Sequence, residues 1–328
     1  MTSTIQEERA LFEANKKIYE SCLLTFLGVE GWDVYNCSIP FFFDGTKYMY
    51  GRVEKRNEWA NSHVRLFKEC DKDTFTVLPD LSWELEDPYI QCVNGEFVLG
   101  GTHVRKTVGA VLSYYGFFYR GTPFSTKYFT TGPDFMKDVR IVELADKRLG
   151  VFSRKRTKEE VYFGFSIVPS LDLLSMDAIQ SAKPLDIIRP GHWGGVNQAY
   201  LLQTGHVGCI AHYSYHDTNS TGAAVTVYTN YAFVIDPLTR EIFACKFIGS
   251  KCCYPPCPFK IPALEDCVFS SGISPREDGK WDLYSGVGDV GQGRITIDYP
   301  FEGYGSIVSN HDDDRDETTH RATMRVLL

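Results

Sequence analysis

The 328-residue chain has no run of about 18 apolar residues, the length a helix needs to span a bilayer, so no membrane-crossing helix is expected. Its opening MTSTIQEERALFEANKK is charged where an export signal requires an apolar stretch. An excess of positive charge is also missing: 42 acidic against 34 basic residues give a net charge of −8, which argues against nucleic acid as the main partner. That balance still permits a local basic pocket for one phosphate. The ten cysteines lack regular pairing and, without an export signal, read as thiols in a reducing, cytoplasmic setting. Only Cys252, Cys253 and Cys257 cluster, in KCCYPPCPF. CxxC spacing and a fourth ligand are absent there, so a proline-rich loop is expected, with no metal and no cofactor.

What the chain does have is aromatic residues, 14% of the total, and many short strand-like runs between turn residues. Residues 4–26 carry apolar positions at helical spacing (Leu11, Phe12, Ile18, Tyr19, Cys22, Leu23), which predicts a helix ended by Gly28 and Gly31. Beyond Gly31 a strand–turn–strand unit recurs at 39–56, 88–104, 137–156, 196–217 and 265–290. In the second, PYIQCVNGEFVLGG, Asn94-Gly95 between apolar runs is a strong hairpin signal because both turn positions need positive φ. VGAVLSYYGFFYRG and AAVTVYTNYAFVIDP supply outer strands for the second and fourth units. The expected fold is therefore all-β: a five-bladed β-propeller over 31–328 behind an N-terminal α-helical extension, 1–30. A β-sandwich with the same strands is the structural alternative. HDDDRDETTH reads as a solvated loop, and ATMRVLL as a segment that closes the first or last blade.

In a propeller the inner strands converge on one axis, so residues at their starts meet in a funnel. The units place Tyr35-Asn36, Glu86-Asp87, Lys137-Asp138, His192 with Asn197, and Glu265-Asp266 there. Strands after the turns add Arg52 to Glu54, Thr102-His103, Ser153-Arg154, His212-Tyr213 and Gly288-Asp289. Carboxylates, basic groups and aromatics around one axis suit glycosyl transfer, in which an acid protonates a leaving oxygen while a nucleophile enters the opposite face. Pro88 sets Glu86-Asp87 at a strand start, either as a structural cap or as an active site.

Several of these stretches resemble the β-mannoside phosphorylases of glycoside hydrolase family 130, inverting enzymes on five-bladed propellers. YGRVEKR is similar to the family strand whose arginine touches sugar, and ELEDPYI to the motif whose aspartate is the general acid; this points to Arg52 and to Asp87. Tyr89 stands where the family has arginine. KDVRIVELADKRLGVFSR resembles strands that hold phosphate, pointing to Lys137, Arg140 and Arg154. GCIAHYSY and YTNYAFVIDPLTRE add His212 and Tyr231 to that phosphate set, and SGVGDVGQG adds Asp289 to the sugar-binding set. Asn36, Glu86 and Asp138 complete the sugar-binding expectations, and a family lysine of the fourth blade has no counterpart near HWGGVNQ.

The short chain, the helical preface and EDPYI look most like the protozoan, trypanosomatid-type branch that builds β-1,2-mannan. The resemblance implies reversible transfer of mannose between mannooligosaccharides and phosphate, giving mannose 1-phosphate, with GDP-mannose as a further donor. Trp193 is then a candidate surface for the guanine. A homo-oligomer is compatible with this reading. A raised Asp87 pKa is expected, with Glu86 and a dry funnel keeping it protonated. The alternatives are a hydrolase on the same fold, needing a second carboxylate such as Glu265 or Asp266, and a non-catalytic carbohydrate-binding propeller.

Overall fold

The computed structural model describes residues 3–156 and 161–308 and the backbone of Met324–Arg325; the acidic run of the C-terminal tail lies outside the described residues. Five sheets, antiparallel except for one parallel edge pair in the first, surround one axis. The second, third and fourth blades run outward in chain order, their inner strands being Glu86–Val93, Lys137–Glu143 and Trp193–Leu201. The fifth starts at Val268–Pro275. In the first, two short inner segments, Asp33–Tyr35 and Phe41–Phe43, both pair with Thr46–Glu54, which leaves the chain broken at Asn36–Pro40.

The ring is closed by the N-terminal segment. Ser21–Leu23 forms the outermost strand of the fifth blade against Gly291–Ile297, and Thr25–Leu27 then joins the first blade in parallel with Thr74–Trp83. The expected helix over 4–26 is thus helical only over Ile5–Asn15, where Thr4 and Glu7 form a reciprocal cap. Two sheet edges that accept residues 21–27 outweigh their helical spacing. For the same reason residue 30 does not divide a helical extension from the propeller. Residues 324–325 add to Phe42–Phe43 of the first blade.

Five apolar clusters fill the five junctions between neighbouring blades. Phe152, Phe163 and Phe165 meet Tyr213, Tyr231 and Phe233 between the third and fourth. Phe41, Tyr50 and Leu66 meet Ile90, Phe97 and Leu99 between the first and second. The remaining three clusters lie between second and third, fourth and fifth, and fifth and first. Strand period two sets this arrangement, since alternate residues of each strand face the blade on either side.

Candidate active site

The funnel is built by irregularities repeated on the inner strands. Register shifts interrupt pairing between Glu86 and Tyr89, Lys137 and Arg140, Val196 and Gln198, and Ser270 and Gly272. Each bulge turns one residue out of the alternation toward the axis. Asp87 and Asp138 occupy two of them at φ 50° and 52°, and Asn36 stands at the break in the first blade at φ 46°. Asp and Asn tolerate this left-handed region better than other side-chain-bearing residues, which is why they serve here. Asn197 and Ser271 sit at the corresponding places of blades four and five.

Around Asp87 the charges are tightly paired. Its Oδ1 accepts from Asn36 Nδ2 and Arg52 Nη1, both at 2.9 Å. Arg52 also donates to Glu86 Oε1 at 3.1 Å and to Ser62 Oγ at 2.8 Å, with its guanidinium 4.8 Å from the Tyr35 ring centroid. Lys137 Nζ donates to the other Glu86 oxygen at 3.0 Å. Glu54 accepts from the Tyr35 hydroxyl at 2.6 Å and from Lys260. Burial pushes the Asp87 carboxyl up, but Arg52, Lys137 and the two hydrogen bonds outweigh it and hold its pKa down to about 2. The expectation of a raised pKa is thereby overturned: Arg52 and Lys137, which also pair with Glu86, favour the ionised form of Asp87.

A second group lies across the funnel and is less satisfied. Arg154 Nε stands 3.2 Å from Asp138 Oδ2, and His212 Nε2 stands 3.8 Å from the same oxygen. Asp138 Oδ2, His212 Nε2, Asn197 Nδ2 and Ser214 Oγ are all buried without a hydrogen-bond partner. Buried polar atoms are seldom left so, and their concentration in one place marks a ligand-sized demand for hydrogen bonds. Gly195 permits the close approach, because a Cβ there would lie 2.6 Å from Asp138 Oδ2. The glycines of HWGGVNQ therefore admit the neighbouring strand. Arg154 has no hydrogen bond to a described residue beyond its ion pair with Asp138, and Tyr228 lies near enough to act on its charge.

Asp289 enters from the turn between the last two strands of blade five at φ 55°. Burial raises its pKa to about 6; Arg52 opposes the shift, Asp87 adds to it, Lys260 opposes it and Glu86 adds to it. These neighbours place Asp289 over the Asp87 side of the funnel.

Three residues of the expected phosphate set need correction. Tyr231 packs against Tyr213 and Phe247 in the core between blades three and four. It is three positions from Tyr228 on one strand, hence on the opposite face, and Tyr228 is the tyrosine beside Arg154 and His212. Arg140 is consumed by backbone: it donates to the carbonyls of Asn197 at 2.9 Å, Val139 at 3.2 Å and Asp87 at 3.5 Å, and lies 4.4 Å from the Tyr89 ring centroid. His212 is at the site but carries no charge. Burial lowers its pKa to about 3 against the pull of Asp138, and its Nδ1 donates to Asn197 Oδ1 at 2.9 Å, leaving Nε2 as an acceptor.

Trp193 stands half-buried at the rim, its indole N–H donating to the Tyr228 hydroxyl at 3.3 Å and its ring 4.7 Å from that of His216. Sequence reasoning missed Lys260, Tyr228 and the supporting role of Asn197. Lys260 comes from the irregular segment after KCCYPPCPF, where no periodicity signals inward placement. Glu265 and Asp266 point elsewhere, to Asn219 at 2.8 Å and to Arg9 of the N-terminal helix at 2.6 and 3.0 Å.

Fold and site together define a five-bladed propeller with an acidic and basic funnel of the kind used on small polar ligands. Comparison with known proteins makes this specific. The family described as "Protein of unknown function (DUF1861)" matches residues 10–303, and the chain belongs to that family. Among solved structures it is 58% identical to MPT-4, a mannose phosphorylase from Leishmania mexicana in complex with phosphate ion (TM-score 0.91, 93% of this chain and 96% of that one). It is 48% identical to MPT-1, a GDP-Man-dependent mannosyltransferase from the same organism (TM-score 0.88, 93% and 97%). A structure from the GH130 family of mannoside phosphorylases, at 15% identity and TM-score 0.58 over 90% of this chain and 97% of that one, shares the fold. No curated protein matches the chain.

Proposed function

We propose that this protein is an inverting β-mannoside phosphorylase and mannosyltransferase that moves mannose reversibly between mannooligosaccharides and phosphate. The observation that carries the reading is the contrast across the funnel. An ionised Asp87, one carboxyl oxygen of which is held by Arg52 and Asn36, faces a pocket of unsatisfied polar atoms around Arg154. A mannose phosphorylase 58% identical to this chain has been solved with phosphate ion, which supports an anion in that pocket.

In synthesis, mannose 1-phosphate sits with its phosphate on Arg154 and its sugar toward Asn36, Arg52 and Asp289. The bond between C1 and the phosphate oxygen breaks, the electron pair leaves with phosphate, and an acceptor hydroxyl attacks C1 from the opposite face. Asp87 receives the acceptor's proton through the 3-hydroxyl of the transferred mannose. Phosphorolysis is the reverse: Asp87, first protonated from solvent, delivers that proton through the same 3-hydroxyl to the leaving oxygen while phosphate attacks C1, so no second carboxylate is required. Arg154 and the Tyr228 hydroxyl offset the phosphate charge, and the neutral His212 accepts from a protonated phosphate oxygen.

Mannose 1-phosphate is the better donor in this scheme, and GDP-mannose the poorer. Trp193, the surface that would carry a guanine, has its N–H tied to Tyr228 and its ring against His216. The cytoplasmic setting expected from the sequence is part of this proposal; among the described residues no helix is long and apolar enough to cross a membrane.

One carboxylate favours a hydrolytic second reading. Asp289, with a pKa near 6, is the funnel acid best suited to activate water. Incubation with β-1,2-mannobiose and phosphate separates the readings: mannose 1-phosphate is expected, free mannose alone would establish the hydrolase, and no turnover a binding propeller.

A further inference from the structure

Lys260 has no role in the proposed reaction, yet its side chain is 4% exposed and ends among the charges of the funnel. It belongs to residues 250–267, the largely irregular stretch that crosses from the outermost strand of blade four to the inner strand of blade five. That stretch holds the Gly288–Asp289 turn at two points. The Lys260 backbone N–H donates to the Gly288 carbonyl at 2.8 Å, and the Gly288 N–H donates to the Cys267 carbonyl at 2.9 Å. Gly288 and Asp289 both take positive φ, 63° and 55°, and a Cβ at 288 would lie 2.6 Å from the Pro258 carbonyl oxygen. Glycine is what lets the crossing stretch come this close.

The side chain continues from that turn into blade one. Its Nζ donates to Glu54 Oε2 and stands 3.5 Å from the Tyr35 hydroxyl, which donates to the same Glu54 oxygen at 2.6 Å. Arg52 Nη2 lies 3.4 Å from that oxygen and 3.1 Å from Glu86 Oε1, so Glu54 and Glu86 share one nitrogen while Nη1 holds Asp87. Burial pushes the Glu54 carboxyl up, but Arg52, Lys260 and Tyr35 together hold it below the ordinary carboxylate range. Without the Lys260 cation, Arg52 alone would neutralise Glu54, and its guanidinium would be drawn off Glu86 and Asp87. Charge acts the same way at Asp289. That carboxyl faces Arg52 and Tyr35 from blade one, Glu86 and Asp87 from blade two, Tyr228 from blade four, and Lys260 and Cys267 from the crossing stretch. Of these, Arg52 and Lys260 carry the positive charge.

We propose that Lys260 is a positioning residue for the transfer reaction: its main chain pins the Asp289 turn, and its ammonium, through Glu54, keeps the Arg52 fork on Asp87. The inference rests on the mannoside reading above for its effect on rate, and on the geometry alone for its effect on Asp289. One buried cation thereby sets both acids of the funnel from behind.

The test compares pH profiles of synthesis from mannose 1-phosphate for the full-length protein, Lys260→Met, Lys260→Arg and Glu54→Gln. Methionine keeps the reach of lysine without its charge. Lys260→Met should lower kcat roughly tenfold and leave the KM for phosphate in phosphorolysis within about twofold. Its acid-side limb, near 6 in the parent, should move up by about half a unit or more, since a cation favouring ionised Asp289 is lost. Glu54→Gln frees Lys260 and Arg52 for the other acids, so its limb should move down. Lys260→Arg keeps the cation and should hold the limb near the parent's. A limb that stays in place in Lys260→Met would overturn the inference. So would a Glu54→Gln limb that moves up or stays put, whether or not Lys260→Met folds. Thermal scans need no substrate: Asp289→Asn should raise Tm at pH 7.5 by roughly 2 °C more in the Lys260→Met background than in the parent. Equal gains in the two backgrounds would overturn the inference as well. The larger gain in a protein whose parent turns over no mannoside would support the role of Lys260 while removing the mannoside reading.

Discussion

Asp87 and Asp289 illustrate how position on one funnel sets opposite proton affinities. Asp87 is held at about 2 by cations, so it starts as a base, the state synthesis needs. Asp289 is raised to about 6, so it becomes neutral just below neutrality. If Asp289 binds sugar hydroxyls as a carboxylate, kcat/KM for synthesis should fall on the acid side with an apparent pKa near 6, and Asp289→Asn should remove that limb while lowering the plateau. A limb that persists unchanged in Asp289→Asn would assign it elsewhere. The stability sign follows from the same shift. A carboxyl raised from 3.8 to about 6 holds its proton longer when folded, so its contribution to stability falls as pH rises from about 4 to 6. Asp289→Asn should therefore raise Tm at pH 7.5 and leave it nearly unchanged at pH 4, as thermal scans would show. Arg154→Ala should raise the KM for phosphate at least tenfold with little change for mannobiose, because a charge-assisted contact to the anion is lost. His212→Ala should be milder, its imidazole being neutral; equal losses for both substrates in initial-rate assays would instead make Arg154 a fold residue.

At the scale of elements, the bulges of the inner strands and the closure of the ring matter most. Asn94-Gly95 was readable because a type I′ turn needs only two adjacent residues with φ > 0, here 51° and 75°. The five strand–turn–strand units and the third strands of blades two and four were readable for a similar reason, local alternation between turns. Facing was not. A bulge inserts one residue and reverses every side chain after it, so the choice between Tyr228 and Tyr231 depended on inter-strand register that no local pattern carries. The N-terminal strand was hidden likewise, its partners lying at 291–297. Its closure is reinforced by Arg294, which pairs with Asp73 and Asp282 at 2.7 and 3.0 Å and with Glu20 at 3.1 Å. Its side chain is 4% exposed. Arg294→Leu leaves Asp73 without its ion pair, while Glu20 and Asp282 keep Arg276, and should cost roughly 3 kcal/mol, the low end for breaking a buried pair because the acids are partly solvated. Urea unfolding measures this; a loss under about 0.5 kcal/mol would mean the strand holds by packing alone.

Over the whole molecule, the five apolar junctions make the propeller a rigid frame that brings residues from every blade to one axis. Asn36 comes from blade one, Asp87 from two, Asp138 and Arg154 from three, His212 and Tyr228 from four, and Asp289 from five. No residue of such a site shows its neighbours in the linear sequence, which is why Glu54–Lys260 and the Arg140–Tyr89 stack emerged only from the fold. In the proposed reaction the same frame lets one carboxylate serve both directions: phosphate and acceptor approach opposite faces of one sugar, and the proton crosses at Asp87 whichever way the reaction runs. The most direct measurement is therefore the activity of Asp87→Asn in both directions, phosphorolysis of β-1,2-mannobiose and its synthesis from mannose 1-phosphate, with mannoside binding measured alongside. Turnover should disappear in both directions while binding stays within about tenfold, since the amide keeps the shape but moves no proton. Retention of more than a few per cent of the parent rate in either direction would contradict the account.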